Sequence, residues 1–289
     1  MNLLQLALNG LAAGSIYGLV ALGFVLVYKA TEMINFAQGD LLMLGAVAAF
    51  VAIVGFDLPY WLGLAVAVVV LGLFGYALDS IVLRRVIGMP QFAVVMLTIG
   101  LGFLMRSGVS MTFGTEPRQL PTPFDADVTV IGPLQIADVN LAIIAGTGIL
   151  CLGLWLMFAR TRIGLAMQAA SQNQLAAYYM GIPVKVIFSG IWAVSAGTAA
   201  VAGILLAPIA LIDPNMGAVG IKAFAAAVLG GFASIPGAVV GGLIIGVIEQ
   251  LAGIYAGAGV KDIAAQVVLL VVLLVMPHGL FGRRGGKRV

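Results

Sequence analysis

The chain has 289 residues, 62% of them hydrophobic and only 9% charged, and its mean hydropathy is +1.17. A soluble domain carries about 25% charged residues, so this chain cannot cover itself with polar surface and its solvent is lipid. The net charge of +3 comes from basic residues scattered at segment ends without interleaved aromatics, which excludes a nucleic-acid partner; a single cysteine (Cys151) and a single histidine (His278) exclude a disulfide framework and a His-rich metal or catalytic cluster.

Residues 3–28 are long enough to cross a bilayer at about 20 residues per span. They lack a basic leader and a small-residue cleavage site, so the segment reads as an uncleaved span. Gly10, Gly14 and Gly18 fall four apart and make one smooth face for a close neighbour. Lys29 closes the segment. Next comes TEMINFAQGD, residues 31–40. The clean apolar run after it, 41–54, is too short to cross unaided. Either the crossing starts near Ile34, drawing Asn35, Gln38 and Asp40 into the bilayer edge, or the chain re-enters as a broken helix. Both options place polar groups where they are costly unless partnered. Asp40 also suits an N-cap before Leu41.

Asp57-Leu58-Pro59 reads as a turn, with Tyr60 and Trp61 as interfacial aromatics. Residues 61–83 span and end in Arg84-Arg85, for which Asp79 is a local charge partner. Gly88-Met89-Pro90 turns the chain into a shorter apolar run, 91–105. Residues 107–138 form the longest hydrophilic connection, an expected external loop with Pro117, Pro121, Pro123 and Pro133 and the acids Glu116, Asp125, Asp127 and Asp138. Residues 140–159 and 186–207 span. Asp213-Pro214-Asn215 breaks the chain before a second short segment, 221–233, which Ser234-Ile235-Pro236-Gly237 interrupts. Residues 236–256 span and carry two further four-apart pairs, Gly237/Gly241 and Gly242/Gly246. Glu249 and Gln250 lie inside this span, roughly 20 Å from Pro236 at about 1.5 Å per residue, and read as an interhelical polar pair. Lys222 reads as a snorkelling side chain. Residues 263–276 are the last crossing and 277–289 a basic tail.

The expectation is an all-α polytopic transmembrane helical bundle, one permease-like domain over 1–289, with eight or nine membrane segments. Two of these are short or broken, and they occupy corresponding positions in the two halves. Such a pair points to a transport site near the bilayer midplane, which makes Asn35, Gln38, Asp40, Asn215 and Ser234 the candidate substrate pathway. Sparse identities recur at an offset of 183 positions (Ala13-Gly14 with Ala196-Gly197, Met33 with Met216). Orientation follows from the basic residues. Lys29, Arg84, Arg85, Arg160, Arg162, Lys185, Arg283, Arg284, Lys287 and Arg288 share one side, which is ten of the 14; Arg106, Arg118, Lys222 and Lys261 fall near the other. That asymmetry predicts a cytoplasmic C-terminus and cytoplasmic residues 160–183.

Residues 160–183, RTRIGLAMQAASQNQLAAYYMGIP, are polar-tinted yet helix-prone. Gly181 is a natural stop and Pro183 cannot continue a helix. A connection needed only for solubility would carry both signs of charge, and this one has no Asp or Glu. It reads as a short cytoplasmic helix presented to another protein. The chain has no G-x-x-x-x-G-K-[ST] loop to bind ATP, and no HExxH, GxSxG or catalytic carboxylate pair.

The run Leu175-Ala176-Ala177-Tyr178-Tyr179-Met180-Gly181 resembles the EAA---G coupling helix of bacterial ABC import permeases, with Leu175 where that pattern has Glu. INFAQGD at 34–40, Gly164 and Gly181-Ile182, then Ala226, Gly230-Gly231 and Ser234-Ile235-Pro236-Gly237-Ala238 occur in the order seen in branched-chain amino acid permeases of the H-subunit type. The resemblance covers essentially the whole chain. It implies a permease of ABC-importer type in the bacterial inner membrane that moves leucine, isoleucine or valine, while related systems carry other amino acids, amides or urea. It implies a second permease subunit, two ATP-binding cassette subunits that bind the ATP, and a periplasmic amino-acid-binding protein, with no cofactor in this chain. Gly164, Gln172, Asn173, Ala176, Ala177 and Gly181 would then form the coupling contact, less charged than usual because of Leu175. Two rival readings are an ion-coupled secondary transporter, for which Glu249 is the one well-embedded acid, and an intramembrane enzyme.

Overall fold

The computed structural model describes residues 3–86, 89–124, 128–131 and 134–282. Gly88, Asp125, Asp127, Pro133 and the tail residues Arg283, Arg284, Lys287 and Arg288 lie outside these. The chain forms eleven α-helices among the described residues: α1 (Leu3–Thr31), α2 (Gln38–Phe50), α3 (Tyr60–Ile81), α4 (Gln91–Phe113), α5 (Asp138–Arg160), α6 (Arg162–Gln172), α7 (Gln174–Tyr179), α8 (Val184–Leu206), α9 (Val219–Gly230), α10 (Ile235–Tyr255) and α11 (Ala258–Val275). Among the described residues, seven helical stretches are long and apolar enough to cross a membrane, and Met216–Gly230 is a shorter apolar one. A small antiparallel hairpin, β1 (Val128–Ile131) with β2 (Leu134–Ala137), is the one departure from an all-α chain among the described residues.

Small residues decide which helices touch. In lipid there is no hydrophobic gain from pairing apolar helices, so close backbone approach and van der Waals contact must supply it. α1 and α10 run antiparallel. A Cβ built on Gly10 would lie 2.8 Å from Val247 Cα, and one on Gly14 would lie 2.7 Å from Gly242 O. Gly242 and Gly246 face α1, whereas Gly237 and Gly241 face α9, so each expected glycine pair serves a different neighbour. Across the molecule α8 plays the part of α1. Gly75 of α3 meets Trp192 and Ala196 of α8, and Gly203 of α8 meets the Leu42 carbonyl of α2. The pairings correspond: α1 packs on α10 as α8 packs on α3, and α9 adjoins α1 and α10 as α2 adjoins α8 and α3. α1 and α8 run in opposite senses, so the halves are inverted repeats. The sparse sequence identities therefore have a structural counterpart.

The two short segments behave as broken helices. After α1 the chain runs non-helically through Met33–Asn35 and turns back into the bundle rather than leaving it. Phe36 N donates to Thr98 Oγ1 on α4 at 3.3 Å, and α2 then starts beside the middle of α8. It ends in a π-helical stretch, Val51–Gly55, which completes an 18-residue span to Gly55. On the other half a 3₁₀ turn, Met216–Ala218, leads into α9. α4 corrects the sequence reading: it runs through Phe113, so the external loop begins at Gly114 and not at residue 107, and Arg106 lies inside the helix. Arg118 and Ile212 exchange backbone hydrogen bonds of 3.0 and 2.8 Å, tying that loop to the turn after α8.

Gly14→Ala and Gly242→Ala should each lower the stability of the detergent-solubilised protein by about 1–3 kcal/mol through overpacking. Gly153→Ala, where a Cβ meets nothing within 4 Å, should leave it unchanged. Thermal unfolding followed by size-exclusion recovery compares the three.

Candidate translocation site and docking face

The N-terminal ends of the two broken segments meet inside the bundle. A Cβ on Gly39 would lie 3.0 Å from Gly220 Cα, and one on Gly220 would lie 2.8 Å from Gly39 Cα. Only glycine lets these two backbones touch. Asp40 sits at this junction. Its carboxylate lies where a Cβ on Gly217 or on Gly102, the middle residue of α4, would fall. Arg106, one turn further along α4, donates from Nη2 to Asp40 Oδ1 at 3.1 Å and from Nε at 3.4 Å. The sequence reading of Asp40 as an N-cap is corrected: the N-cap is Ala37, and Asp40 lies in the first turn of α2, where a negative charge faces the positive helix end. A cavity of about 250 Å³ opens beside this pair. Phe24, Phe36, Phe103 and Phe224 line it, with Gly217, Ala218, Gly220 and Ile221 on the α9 side.

Asn35 and Gln38 do not reach that cavity. Both are fully buried. Asn35 Nδ2 donates to Gln38 Oε1 at 3.1 Å, and Asn35 Oδ1 accepts from Ala37 N at 3.1 Å. Gln38 Nε2 donates to the Ser195 carbonyl at 3.2 Å, in the space left by Gly23. The Ser195 hydroxyl lies 3.0 Å from Gly23 O and 3.1 Å from Gln38 Oε1, and its one proton serves either. These side chains hold the re-entrant strand of chain against α1 and α8, which is the partnering that buried amides require. Ser234 does not line that cavity either; its hydroxyl accepts from Gly237 N at 3.1 Å as the N-cap of α10. Asn215 is exposed, on the turn before Met216.

Arg106 and Lys222, read from sequence as external basic residues, are both drawn into the bundle. Lys222 does not snorkel. It forms an ion pair with Glu249 of α10, whose other oxygen accepts from Tyr17 Oη of α1 at 2.6 Å. Lys222 also lies 3.6 Å from Asp262 of α11. Glu249 thus joins α1, α9, α10 and α11, the interhelical role its position suggested. It is not the one embedded acid: Asp40 and Asp79 are buried too. Asp79 lies 3.6 Å from Arg84 and accepts from Ser189 Oγ at 2.6 Å, as the local partner that the sequence indicated. No group of three or more His, Cys, Asp or Glu side chains that could hold a metal occurs among the described residues.

The run 160–183 is two helices rather than one. Thr161 caps α6, accepting from Gly164 N at 3.0 Å, and Gly164 packs so tightly on the end of α5 that a Cβ there would lie 2.3 Å from Met157 O. Gln172 is exposed at the end of α6. Asn173 breaks the run and caps α7, accepting from Ala176 N at 2.9 Å. Ala177 faces inward with Met167 and Ala170 against Leu26, Phe188 and Ile191. Gly181, with φ of +81°, ends α7. The outer face of α7 is left uncovered: Leu175, Tyr178, Tyr179 and Met180 are 64–83% exposed. Lys29, Arg84, Arg85, Arg160, Arg162 and Lys185 all lie at this end of the bundle. So compact an apolar face on a basic rim is what an interaction site presents.

Removing the charge of Glu249 alone leaves the partly buried Lys222 without its main counter-ion. Glu249→Gln should cost about 3–5 kcal/mol, and adding Lys222→Met should recover much of the loss; a double-mutant thermal-unfolding cycle measures both. Asn173→Ala should cost about 1 kcal/mol through lost capping, seen as faster backbone amide exchange confined to α7.

Residues 6–277 match the family described as branched-chain amino acid transport system / permease component. The chain is 34% identical to the high-affinity branched-chain amino acid transport system permease protein LivH of Escherichia coli (strain K12), over 99% of this chain and 97% of the relative. It is 33% identical to BraD of Pseudomonas aeruginosa, the permease protein of a system of the same kind, over 99% of this chain and 98% of the relative. A chain in the solved structure of PsaBC from Streptococcus pneumoniae in complex with Fab shares the fold, with a TM-score of 0.53 at 13% identity over 97% of this chain and 94% of that one. These relatives are transport permeases and not enzymes. With its broken paired segments, inverted halves and full-length kinship, this chain belongs to the branched-chain amino acid permease family, as a multi-pass membrane component of an ABC transport system.

Proposed function

We propose that this chain is the translocating subunit of an ATP-driven importer for leucine, isoleucine and valine in the bacterial inner membrane. The observation that carries the proposal is full-length kinship with permeases of that class in a chain whose α7 region exposes Leu175, Tyr178, Tyr179 and Met180 beside a basic rim. The basic rim favours a cytoplasmic location for α6 and α7. There α7 offers Leu175, Tyr178, Tyr179 and Met180 to a groove of an ATP-binding cassette subunit, with Gly164, Gln172, Asn173, Ala176, Ala177 and Gly181 shaping and anchoring the contact. Two such subunits bind and hydrolyse the ATP. A second permease subunit, of a different chain, completes the pathway, and a periplasmic amino-acid-binding protein delivers substrate.

The coupling is mechanical and needs no chemistry in this chain. α6 is locked to α5 through Gly164, and α7 is locked to α1 and α8 through Ala177. Closure of the ATPases therefore moves packed helices and not a loose loop. An ATP-dependent pull on this pair biases a two-state bundle between outward- and inward-open forms. The resulting motion reaches Asp40 through α1 and α8, which hold the re-entrant segment.

Uptake of labelled leucine by the assembled system should disappear when the ATPase phosphate-binding lysine is substituted, and should persist when the proton gradient is collapsed at constant ATP. The reverse pattern would support ion coupling and contradict this proposal. Ala176→Pro deletes the N–H that Asn173 caps, and should abolish transport-coupled ATP hydrolysis while the protein still inserts in the membrane; normal uptake by this variant would refute the docking role of α7.

A further inference from the structure

We infer that the Asp40–Arg106 pair and its aromatic cavity form a binding station for one amino-acid zwitterion within the permease. The inference rests on the proposed function and names the residues that would meet the substrate. Asp40 Oδ1 takes both contacts from Arg106, while Oδ2 accepts no hydrogen bond among the described residues. Arg106 spends Nε and Nη2 on that oxygen, so the rest of its N–H fork is free. The guanidinium side chain is 34% exposed and the carboxylate side chain 10%, so both edges of the pair are reachable from the cavity.

The pair is net neutral, as a zwitterion is. An ammonium group fits the open Oδ2 edge, and a carboxylate fits the unused N–H edge of the guanidinium, where a charge-assisted contact is favoured. The rest of the cavity is apolar. Phe24 and Phe36 both pack on the Phe224 ring, with centroids 5.7 and 5.3 Å away, and Phe103 and Ile221 stand at the open rim. Its 250 Å³ falls below the roughly 300–1,000 Å³ of sites for drug-sized ligands. It therefore suits a small aliphatic side chain, and a hydroxyl-rich sugar would find too few polar partners among four phenylalanines. Two glycines, Gly102 of α4 and Gly217 of the 3₁₀ turn, leave room for the carboxylate. Asp40 lies at the junction of the two broken segments, so the station sits where relative movement of the halves would open and close it.

The test uses the complete transporter, reconstituted with its binding protein and ATPases, and reads uptake of labelled leucine and valine per assembled complex. Asp40→Asn and Arg106→Gln should each lower uptake of both amino acids by about tenfold or more, the loss expected for one charged contact. Ala218→Leu leaves both members of the ion pair in place and adds bulk to the cavity wall. It should lower the leucine-to-valine uptake ratio by about tenfold, as one methylene decides in a hydrophobic pocket. A ratio is independent of expression, so this variant stands even where the charge variants fail to assemble. Arg106→Lys should restore more uptake than Arg106→Gln. An unchanged leucine-to-valine ratio in Ala218→Leu, or uptake within twofold of wild type in both charge variants, overturns the station while leaving the importer reading intact. A wild-type complex that moves neither amino acid overturns the importer reading itself, and the station falls with it.

Discussion

Two helices of this protein begin inside the bundle, and the structure depends on satisfying their ends. A chain in hydrocarbon has no water to bond its free amides, so a helix that starts at mid-depth must find its partners in protein. At the start of α2, Ala37 N donates to Asn35 Oδ1 and Gln38 N to the Asn35 carbonyl, and the Gln38 side chain ties this turn to Ser195 of α8. α9 starts from a 3₁₀ turn pressed against Gly39 and Asp40. The two starts touch glycine to glycine, and the one acid between them is matched by Arg106. Removing any of these parts would expose polar backbone to lipid or leave a charge unpaired, so junction and fold stand together.

The inverted arrangement follows from the same constraint. α1 and α8 each carry one broken neighbour, and each is backed by a long helix of the other half through small residues. Such contacts bring backbones close without interlocking side chains. They tie each helix to its partner from the other half. The buried ion groups are placed at seams rather than within single helices: Glu249 joins α10 to α1 and α9, and Asp79 joins α3 to α8. Helices α6 and α7 lie on the bridge between the halves.

Much of this was legible in the sequence. The four-apart glycines named their helix faces, and the two apolar runs too short to cross announced broken helices. The helical run of α6 and α7 could be located from helix-forming residues closed by Gly181 and Pro183. What the residues could not give was direction. Asn35 and Gln38 are buried, yet nothing in an amide says whether it faces a cavity or a neighbouring carbonyl. Arg106 and Lys222 were counted as surface charges because the search for spans stops at a basic residue. Each is tolerated inside by a partner 66 or 27 positions away, a separation that hydropathy cannot register. Ser234 precedes Pro236-Gly237 and would have been readable as an N-cap from that spacing. The break at Asn173 was visible too, since a short polar side chain between two helix-forming runs is a natural cap.

The account stands or falls on whether the junction at Asp40 alternates between the two sides of the membrane. Introducing Ile221→Cys into a Cys151→Ala background of the reconstituted transporter, and labelling with a membrane-impermeant maleimide, measures this directly. The junction should be labelled from one side without nucleotide and from the other when ATP is held unhydrolysed on the ATPases. Labelling from the same side in both conditions, or from neither, would contradict it.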